Sequence, residues 1–337
     1  MALVSLGDLA YQFALSRQNG TLKQGLLEAT QEVTTGVSSN LGQHLEGDFV
    51  PLASIERSLH VLSAYQTATA EARLTTDVMQ QALGNVTDSA RNLQQALLLA
   101  GTEPQATLIR SSGVDAEQKF AQTVATLNGS AAGRSLFAGA ATDTAPLIDA
   151  DAMMVQIRAA VASATTAQDV ATAVQDWFHD AGGGFETTAY QGSTTPSGPM
   201  RLGDGQTLTL SITAADPALR DMLAGLATAA LLSDPDLLGG DVQAQSALAM
   251  QAAESLLTAE GPMANLRGQL GAAQERIEEI EVQNSATATA LEITRAELIG
   301  VDPYDAATKL EALQTQLETL YTITARVGRL NLADFLR

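Results

Sequence analysis

The sequence has no cysteine, few aromatic residues and few cationic side chains. Among its 337 residues, 18 are Lys or Arg against 38 Asp or Glu, which gives a net charge of −20, and only 4% are aromatic. Without cysteine, disulfides, thiolate metal sites and cysteine catalysis are excluded. The shortage of cations argues against binding to a nucleic-acid backbone, because phosphate recognition needs clustered Lys and Arg. With 45% hydrophobic residues, the chain is nevertheless too apolar to be disordered.

Two kinds of targeting segment are also missing from the sequence. Residues 1–18 have no cationic leader followed by an apolar run and a small-residue cleavage site. No uncharged apolar stretch reaches about 18 residues, the length that a membrane-spanning helix needs. We therefore expect neither a cleavable signal peptide nor a membrane span. The protein is expected either to stay inside the cell or to leave it by a route that reads no cleavable signal.

The C-terminal arm, by contrast, carries a long heptad pattern, which we call the seam. Its positions step by three and four residues, first through Met263, Leu266, Leu270, Ala273, Ile277, Ile280, Asn284, Thr287, Leu291, Thr294, Leu298 and Val301, and after Asp302-Pro303 through Leu310, Leu313, Leu317, Leu320, Thr324 and Val327. The first part would be a helix about 60 Å long. Such a pattern predicts packing against other helices, with Asn284 as a polar position that fixes register. An intramolecular helix pair without any assembly role is the alternative.

The N-terminal third is patterned in a similar way. Leu3, Leu6, Ala10 and Phe13 fit one helical face, and a second phase follows from Leu15 to Val33. Residues 35–40 are rich in turn formers and predict a loop. Helix is expected to resume after Pro51 and to run to about Gly101, with a third helix at roughly 105–127.

The middle of the chain has a different character. Gly129, Gly133, Gly139 and Pro146 interrupt helix, and residues 135–137 are compatible with a short extended piece. The alternation from Thr207 to Ile212 predicts a strand, paired as a hairpin with residues 200–202 across Gly203-Asp204-Gly205. Helices are expected around residues 155–177 and 217–232, and Gly182-Gly183-Gly184 is interpreted as a hinge.

The predicted fold is therefore mainly α, with long antiparallel helical coiled-coil arms from both termini and an inserted small α+β domain that contains a β-hairpin. Three domains are expected. Residues 1–40 and 303–337 would form a terminal helical assembly domain, residues 41–145 and 240–302 a helical rod, and residues 146–239 the inserted, outward-facing domain. An arrangement of this kind favours assembly over a catalytic cleft.

A search of the sequence for chemistry finds no catalytic or metal-binding pattern. His44, His60 and His179 are far apart and lack metal-ligand spacing. The acidic run at residues 275–281 lies mostly off the seam and is interpreted as a solvated flank rather than an acid/base pair. The pair Asp149 and Asp151 lacks the full spacing of a calcium loop. We therefore expect no enzyme activity, no cofactor and no metal.

The order of these parts resembles the flagellin superfamily, and within it the hook–filament junction proteins of the hook-associated protein 3 group. Residues 317–336 look like the family's C-terminal helix with its closing Leu-x-Leu-x-x-(aromatic)-Leu. Thr34-Thr35-Gly36-Val37 is similar to the end of its first helix. The segments that look specific to the junction proteins are Gly133-Arg134-Ser135-Leu136-Phe137-Ala138-Gly139, then Thr142, Thr144 and Pro146, and later Tyr190-Gln191-Gly192, Arg201, Asp204-Gly205 and Ala218-Leu219-Arg220. One departure lies before the second helix, where the acidic pair typical of flagellins is absent.

The resemblance implies a structural adaptor that joins the flagellar hook to the filament by polymerisation of its terminal helices. Expected partners are further copies of the chain in a helical or ring-like oligomer, the hook-side junction protein, flagellin and an export chaperone, without nucleic acid or membrane. The expected location is the extracellular flagellum. The subunit-contact residues would be Leu3, Leu6, Leu9, Phe13, Leu310, Leu313, Leu317, Leu320, Tyr321, Val327, Leu330, Leu332 and Phe335, and the family signature Leu136, Phe137, Gly139, Pro146, Tyr190 and Gly192.

Two other functions stay open from the sequence. The same arms would serve a filament flagellin, which is the major structural subunit of the filament. An acidic coiled-coil secretion regulator is the second alternative, and it would not need both termini for assembly.

Overall fold

The computed structural model describes residues 6–335 and the side chains of residues 10–326. The chain is mainly α-helical, which confirms the predicted fold class. The helices are α1 (Leu6–Thr35), α2 (Leu41–His44), α3 (Val50–Thr102), α4 (Ala106–Leu127), α5 (Ala150–Ala160), α6 (Ala167–His179), α7 (Pro217–Ala230), α8 (Val242–Ile299) and α9 (Pro303–Phe335). Two antiparallel hairpins pair β1 (Ser130–Ala131) with β2 (Arg134–Ser135) and β3 (Met200–Gly203) with β4 (Gln206–Leu208). A π-helical turn (Phe185–Ala189) and two 3₁₀ turns (Leu231–Ser233, Leu237–Gly240) complete the list.

The chain forms two compact units. The terminal unit contains residues 1–63 and 285–337, and the central unit contains residues 64–284. Helices α3 and α8 each contribute residues to both. The division into three domains that the sequence suggests stays a prediction. Among the described residues, no helix is long and apolar enough to cross a membrane.

The core of the central unit is built around α7. This helix begins at Pro217, directly after its N-cap residue Asp216, whose carboxylate accepts a hydrogen bond from the N–H of Ala218. From Met222 to Ala230 every residue of α7 is buried, so the helix is covered on all sides. Its alanines allow close packing, and it contacts both α4 and α6. A helix that is apolar all round fits only such an internal position.

The predicted hairpin is present, but its second strand is shorter than the alternation from Thr207 to Ile212 suggests. Strand β4 ends at Leu208, although Leu210 and Ile212 are still buried on the same side. The partner strand begins only at Met200, because Pro199 precedes it and has no backbone N–H to donate. The alternation from Thr207 to Ile212 therefore reflects the burial of one face of this segment, which continues beyond the end of strand pairing at Leu208.

Asn284 anchors this hairpin to α8. Its side-chain amide is buried and donates a hydrogen bond of 2.7 Å to the backbone carbonyl of Leu202. The sequence predicts Asn284 as a register-fixing position on the seam. Its observed partner is a β-strand carbonyl, so it fixes where the hairpin sits along α8.

Replacing Asn284 should destabilise the central unit. In Asn284→Ala the buried carbonyl of Leu202 loses its donor, and we expect the free energy of unfolding to fall by about 1–2 kcal/mol. Urea denaturation followed by the fluorescence of the single Trp177 would measure it. The matched control is Val282→Ala on the same helix, whose side chain is 65% exposed and should change stability little. Equal stability of the two variants would contradict the anchoring role.

Candidate functional site

Helices α1 and α9 of the terminal unit pack against each other in antiparallel fashion. The buried positions Leu22 and Ala29 of α1 face this contact, as do Ala306 and Leu320 of α9. A methyl group placed on Gly25 would lie 3.5 Å from both terminal carbons of Leu313, so Leu313 of α9 lies directly opposite Gly25 of α1. The apolar stripes on the two helices thus cover each other in part.

Much of the apolar surface on this helix pair remains uncovered. Phe13 is 73% exposed and Leu27 is 70% exposed, both on α1. Tyr11 of α1 lies across an open groove from Leu320 and Ile323 of α9. Single exposed apolar residues are normal on a protein surface, but several large ones along one helix pair make this surface a candidate for contact with other subunits.

The base of the helix pair is held by one polar cluster. The carboxylate of Glu32, almost fully buried, accepts hydrogen bonds from Lys309 Nζ at 2.9 Å and from Ser39 Oγ at 2.7 Å. The backbone N–H of Ser39 donates to it as well, at 3.2 Å. Chiefly through the hydrogen bond from Lys309 and then that from Ser39, the pKa of Glu32 is lowered from its usual value. This cluster joins α1, the loop after it and α9.

Backbone hydrogen bonds strengthen the same corner. Gly36 ends α1 with a positive φ of 69°, and its carbonyl accepts from Val301 N at 3.0 Å. Two residues on, Ser38 N donates to Ile299 O at 2.9 Å. A loop is predicted here from the sequence, but the contact between Glu32 and Lys309 is not. The sequence does contain one sign of this cluster, which is the carboxylate of Glu32 between Ala29 and Val33 on a helix face that is otherwise apolar.

The structure places the predicted contact residues at different depths. Phe13 and Tyr321 are exposed, Leu310, Leu313 and Leu317 are half-buried, and Leu320 is buried within the α1–α9 pair. Leu3 lies outside the described residues, and the side chains of Leu6, Leu9, Val327, Leu330, Leu332 and Phe335 lie outside the described side chains. Contact of all thirteen with other subunits stays a prediction.

The signature segments, which lie 40 to 60 residues apart in sequence, meet in one place in the central unit. Phe137 is fully buried, Leu136 and Pro146 are also buried, and the carbonyl of Phe137 accepts from Ala214 N at 2.8 Å. The carbonyl of Pro146 accepts from Gln191 N at 2.8 Å, beside a β-bridge between Leu147 and Tyr190. These residues therefore build the interior of a folded corner rather than an exposed binding surface.

Gly139 of the signature and Asn128, which precedes it, close this corner through contacts with the backbone. Gly139 has a φ of 62°, and the backbone around it exchanges hydrogen bonds with the segment at residues 193–195. A methyl group on Gly139 would overlap the carbonyl oxygen of Ser193 and lie 2.5 Å from that of Thr195. Asn128 ties the other end, since its side chain bonds both the N–H and the carbonyl of Leu147.

An aromatic cluster lies beside the corner. Trp177, Phe178, Phe185 and Tyr190 contact one another, with ring centroids 4.8 to 6.5 Å apart. The hydroxyl of Tyr190 donates to Ser193 O at 2.8 Å, and burial raises its pKa. A methyl group on Gly192 would come within 2.6 Å of this hydroxyl.

The predicted hinge at residues 182–184 is a tightly packed turn. A methyl group on Gly184 would overlap the indole of Trp177, and one on Gly183 would lie 2.9 Å from the carbonyl oxygen of Asp180. Two of these glycines are therefore needed for close packing against α6, and the interpretation of the segment as a hinge stays a prediction.

The histidines do not come together in the structure. His179 Nε2 lies 2.9 Å from Asp221 Oδ1 within the central unit, whereas His44 and His60 belong to the terminal unit. Across the residues that the structure describes, no group of three or more His, Asp or Glu side chains is placed to hold a metal ion.

Comparison with known proteins supports a relation to flagellins at the C-terminal end. Residues 250–336 match the family model of the bacterial flagellin C-terminal helical region, which confirms the resemblance to the flagellin superfamily over α9 and most of α8. No curated protein matches the chain.

Solved structures that resemble the chain include two of flagellar proteins. One is a candidate flagellar hook-associated protein of Vibrio parahaemolyticus, with 14% identity and a TM-score of 0.49, where the match covers 73% of this chain and 95% of the other. The second is FlgL of Bacillus cereus, with 17% identity and a TM-score of 0.49, where it covers 71% of this chain and 96% of the other.

Substituting Gly139 should disrupt the signature corner. In Gly139→Ala the new methyl group meets two carbonyl oxygens and the positive φ is strained as well, so we expect a loss of about 3 kcal/mol or more in the free energy of unfolding. Gly133→Ala is the matched control, because it has a φ of 75° but nothing within 4 Å of its methyl group. It should lose only about 1 kcal/mol. Thermal unfolding followed by circular dichroism would compare them, and similar losses would contradict the packing argument.

Acid should loosen the α1–α9 contact through Glu32. Because its folded-state pKa is depressed, the stability that Glu32 contributes is present above the ordinary glutamate pKa of about 4.3 and is lost as the pH falls through the lowered value. In Glu32→Gln we expect a loss of about 1–2 kcal/mol at neutral pH that shrinks at acid pH. Hydrogen exchange of residues 22–35, measured at several pH values, would show it.

The matched control for Glu32 is Glu28→Gln, one turn earlier on α1. Its carboxylate accepts a hydrogen bond from the exposed side chain of Gln24. Exchange in Glu28→Gln should follow that of the unsubstituted protein. If hydrogen exchange were also unchanged in Glu32→Gln, the ion pair between Glu32 and Lys309 would not stabilise the α1–α9 contact.

Proposed function

We propose that the chain is a structural subunit of the bacterial flagellum, and that it joins the hook to the filament by polymerisation of its terminal helices. The match of residues 250–336 to the flagellin C-terminal helical region carries this proposal. That region includes α9, the helix that pairs with α1 and leaves large apolar side chains uncovered. Together they make self-association through the terminal unit the function that the chain supports best.

The energetics of the exposed side chains agree with this role. Covering an apolar side chain of the size of Leu or Phe contributes roughly 1.5–3 kcal/mol. Phe13 and Leu27 of α1 and Tyr321 and Ile323 of α9 are between 42% and 73% exposed, so neighbouring subunits could cover a substantial area. Part of the gain offsets the loss of freedom on association. Assembly would therefore depend on many such contacts repeated along the polymer.

The partners follow from the same role. Copies of the chain would form a short helical or ring-like zone, between the hook-side junction protein on one side and flagellin on the other. An export chaperone would cover the apolar face of the C-terminal helix before export. The assembled subunit would lie outside the cell.

The main alternative is a filament flagellin, because the terminal helices serve both roles. The signature around Leu136, Phe137 and Gly139, with Tyr190 and Gly192, resembles the junction proteins and favours the first role. An acidic secretion regulator is a weaker alternative, since it gives no reason for uncovered apolar residues at both ends of the chain.

Immunogold labelling of purified flagella, with an antibody against the central unit, would test the proposal. We expect a single narrow band where the hook meets the filament. Label along the whole filament would make the chain a flagellin, and absence of label from flagella, with the protein secreted or cytoplasmic, would favour the regulator.

A pair of variants would test the contact surface itself. Phe13→Asp places a charge on a residue that is 73% exposed, so the isolated subunit should fold normally but fail to enter flagella. Val155→Asp is the matched control, because Val155 is 67% exposed and lies in the central unit. It should assemble normally. Incorporation of Phe13→Asp at the unsubstituted level would show that this part of the terminal unit makes no subunit contact.

A further inference from the structure

One stretch of the central unit has well-defined ends, where α3 and α8 lie side by side. At one end Arg91 Nε is 3.1 Å from Glu260 Oε1, and at the other Gln274 Nε2 donates to Asp77 Oδ1 at 2.7 Å. Between these contacts, residues 77–91 of α3 face residues 260–274 of α8. Both polar contacts are on the surface. They show which residues of α3 and α8 lie opposite each other, but they do not hold the buried side chains between the two helices.

This stretch of α8 is unusually rich in residues that weaken a helix. Gly261, Gly268 and Gly271 fall within eleven residues, and Pro262 lies inside the helix. A proline there removes the hydrogen bond to the preceding turn and favours a kink. A methyl group on any of the three glycines would have nothing within 4 Å, so packing within the subunit gives no reason for their absence of a side chain.

The inward face of the same stretch is, by contrast, fully packed. Met263, Leu266 and Leu270 are between 0% and 3% exposed, and they hold the segment against the core of the central unit. The buried side chains therefore hold one face of the helix in place. The glycines and the proline, which lie away from that face, give the segment a low intrinsic helix preference. Bending is easier than unwinding in such a segment, because the buried side chains need not leave the core.

Gly84 of α3 provides space opposite α8, and each of the two helices contributes one unpaired polar atom. Gly84 stands opposite Arg267, whose Nη2 would lie 3.8 Å from a methyl group at that position. The Nε of Arg267 is buried and makes no hydrogen bond, and neither does the buried Oε1 of Gln80, one turn before Gly84. One atom is a donor and the other an acceptor, so a hydrogen bond between them would satisfy both.

We propose that residues 261–271 of α8 form a bend point, at which the helix exchanges between two curvatures. Gly84 gives the arginine room to move, and pairing of Arg267 with Gln80 stabilises the second curvature. A partner helix packed closely on the three glycines would account for the glycines alone. It would account neither for Pro262 in the same turn nor for the two unpaired atoms. The bend belongs to the subunit itself, so it does not depend on what the chain assembles with.

Spin labels on α8 would detect the bend directly. Because the chain has no cysteine, the double variant Glu254→Cys and Glu278→Cys places labels only at two exposed positions, about 36 Å apart along a straight helix. In the full chain we expect a distance distribution at least twice as wide as that of the same labels with Gly261, Gly268 and Gly271 all changed to Ala. Alanine fits the open space and favours helix, so this variant should fold. A narrow distribution that the three alanines leave unchanged would overturn the proposal.

Amide hydrogen exchange gives an independent readout without labels. Residues 259–272 should exchange at least tenfold faster than residues 245–256 of the same helix, and the alanine variant should slow them by about fivefold for each glycine replaced. The control is Gly20→Ala in α1, where a methyl group also has nothing within 4 Å. It should slow exchange near residue 20 and leave α8 unaffected. Equal exchange in the two parts of α8 of the unsubstituted protein would also overturn the proposal.

Discussion

A long helix with one apolar face is stable in water only when another surface covers that face. The layout of this chain depends on that constraint. In the central unit, the seam of α8 from Met263 to Asn284 is covered, and even its polar member Asn284 has a backbone partner. In the terminal unit, α1 and α9 cover each other only in part. The uncovered remainder, on Phe13 and Leu27 above all, is the surface on which the proposed association depends.

The signature corner shows how a short motif can be specified by backbone packing rather than by chemistry. Phe137 supplies the buried volume, Gly139 permits the approach of two carbonyl oxygens, and Gly192 makes room for the hydroxyl of Tyr190. The packing of each of these residues depends on another segment of the corner, so segments about 50 residues apart must fit together. Such a corner can orient the chain where it leaves α4, but it presents no reactive group.

The long helices can be predicted from the sequence more accurately than the local contacts, for a physical reason. Helices α3 and α4 follow the predicted spans within a few residues, because apolar periodicity over many turns averages out exceptions. The end of β4 at Leu208 is missed because it depends on Pro199, which lies directly before the opposite strand β3. The same holds for Glu32 and Lys309, which are 277 residues apart and meet only through the fold. The tight turn at Gly183 and Gly184 is likewise set by Trp177, which no local pattern reveals.

The distribution of charge favours the proposed association through the terminal unit. Residues 1–63 and 285–337 carry 13 acidic and 8 basic residues, a net charge of −5, whereas residues 64–284 carry 25 and 10, a net charge of −15. Repulsion between two copies grows with the product of the charges that are brought together, so contact between central units opposes association far more strongly. The exposed apolar side chains of α1 and α9 lie in the unit with the smaller charge. Added salt, which screens exposed charges over about 10 Å at 0.1 M, should therefore help the central units to come close while leaving the apolar contacts intact.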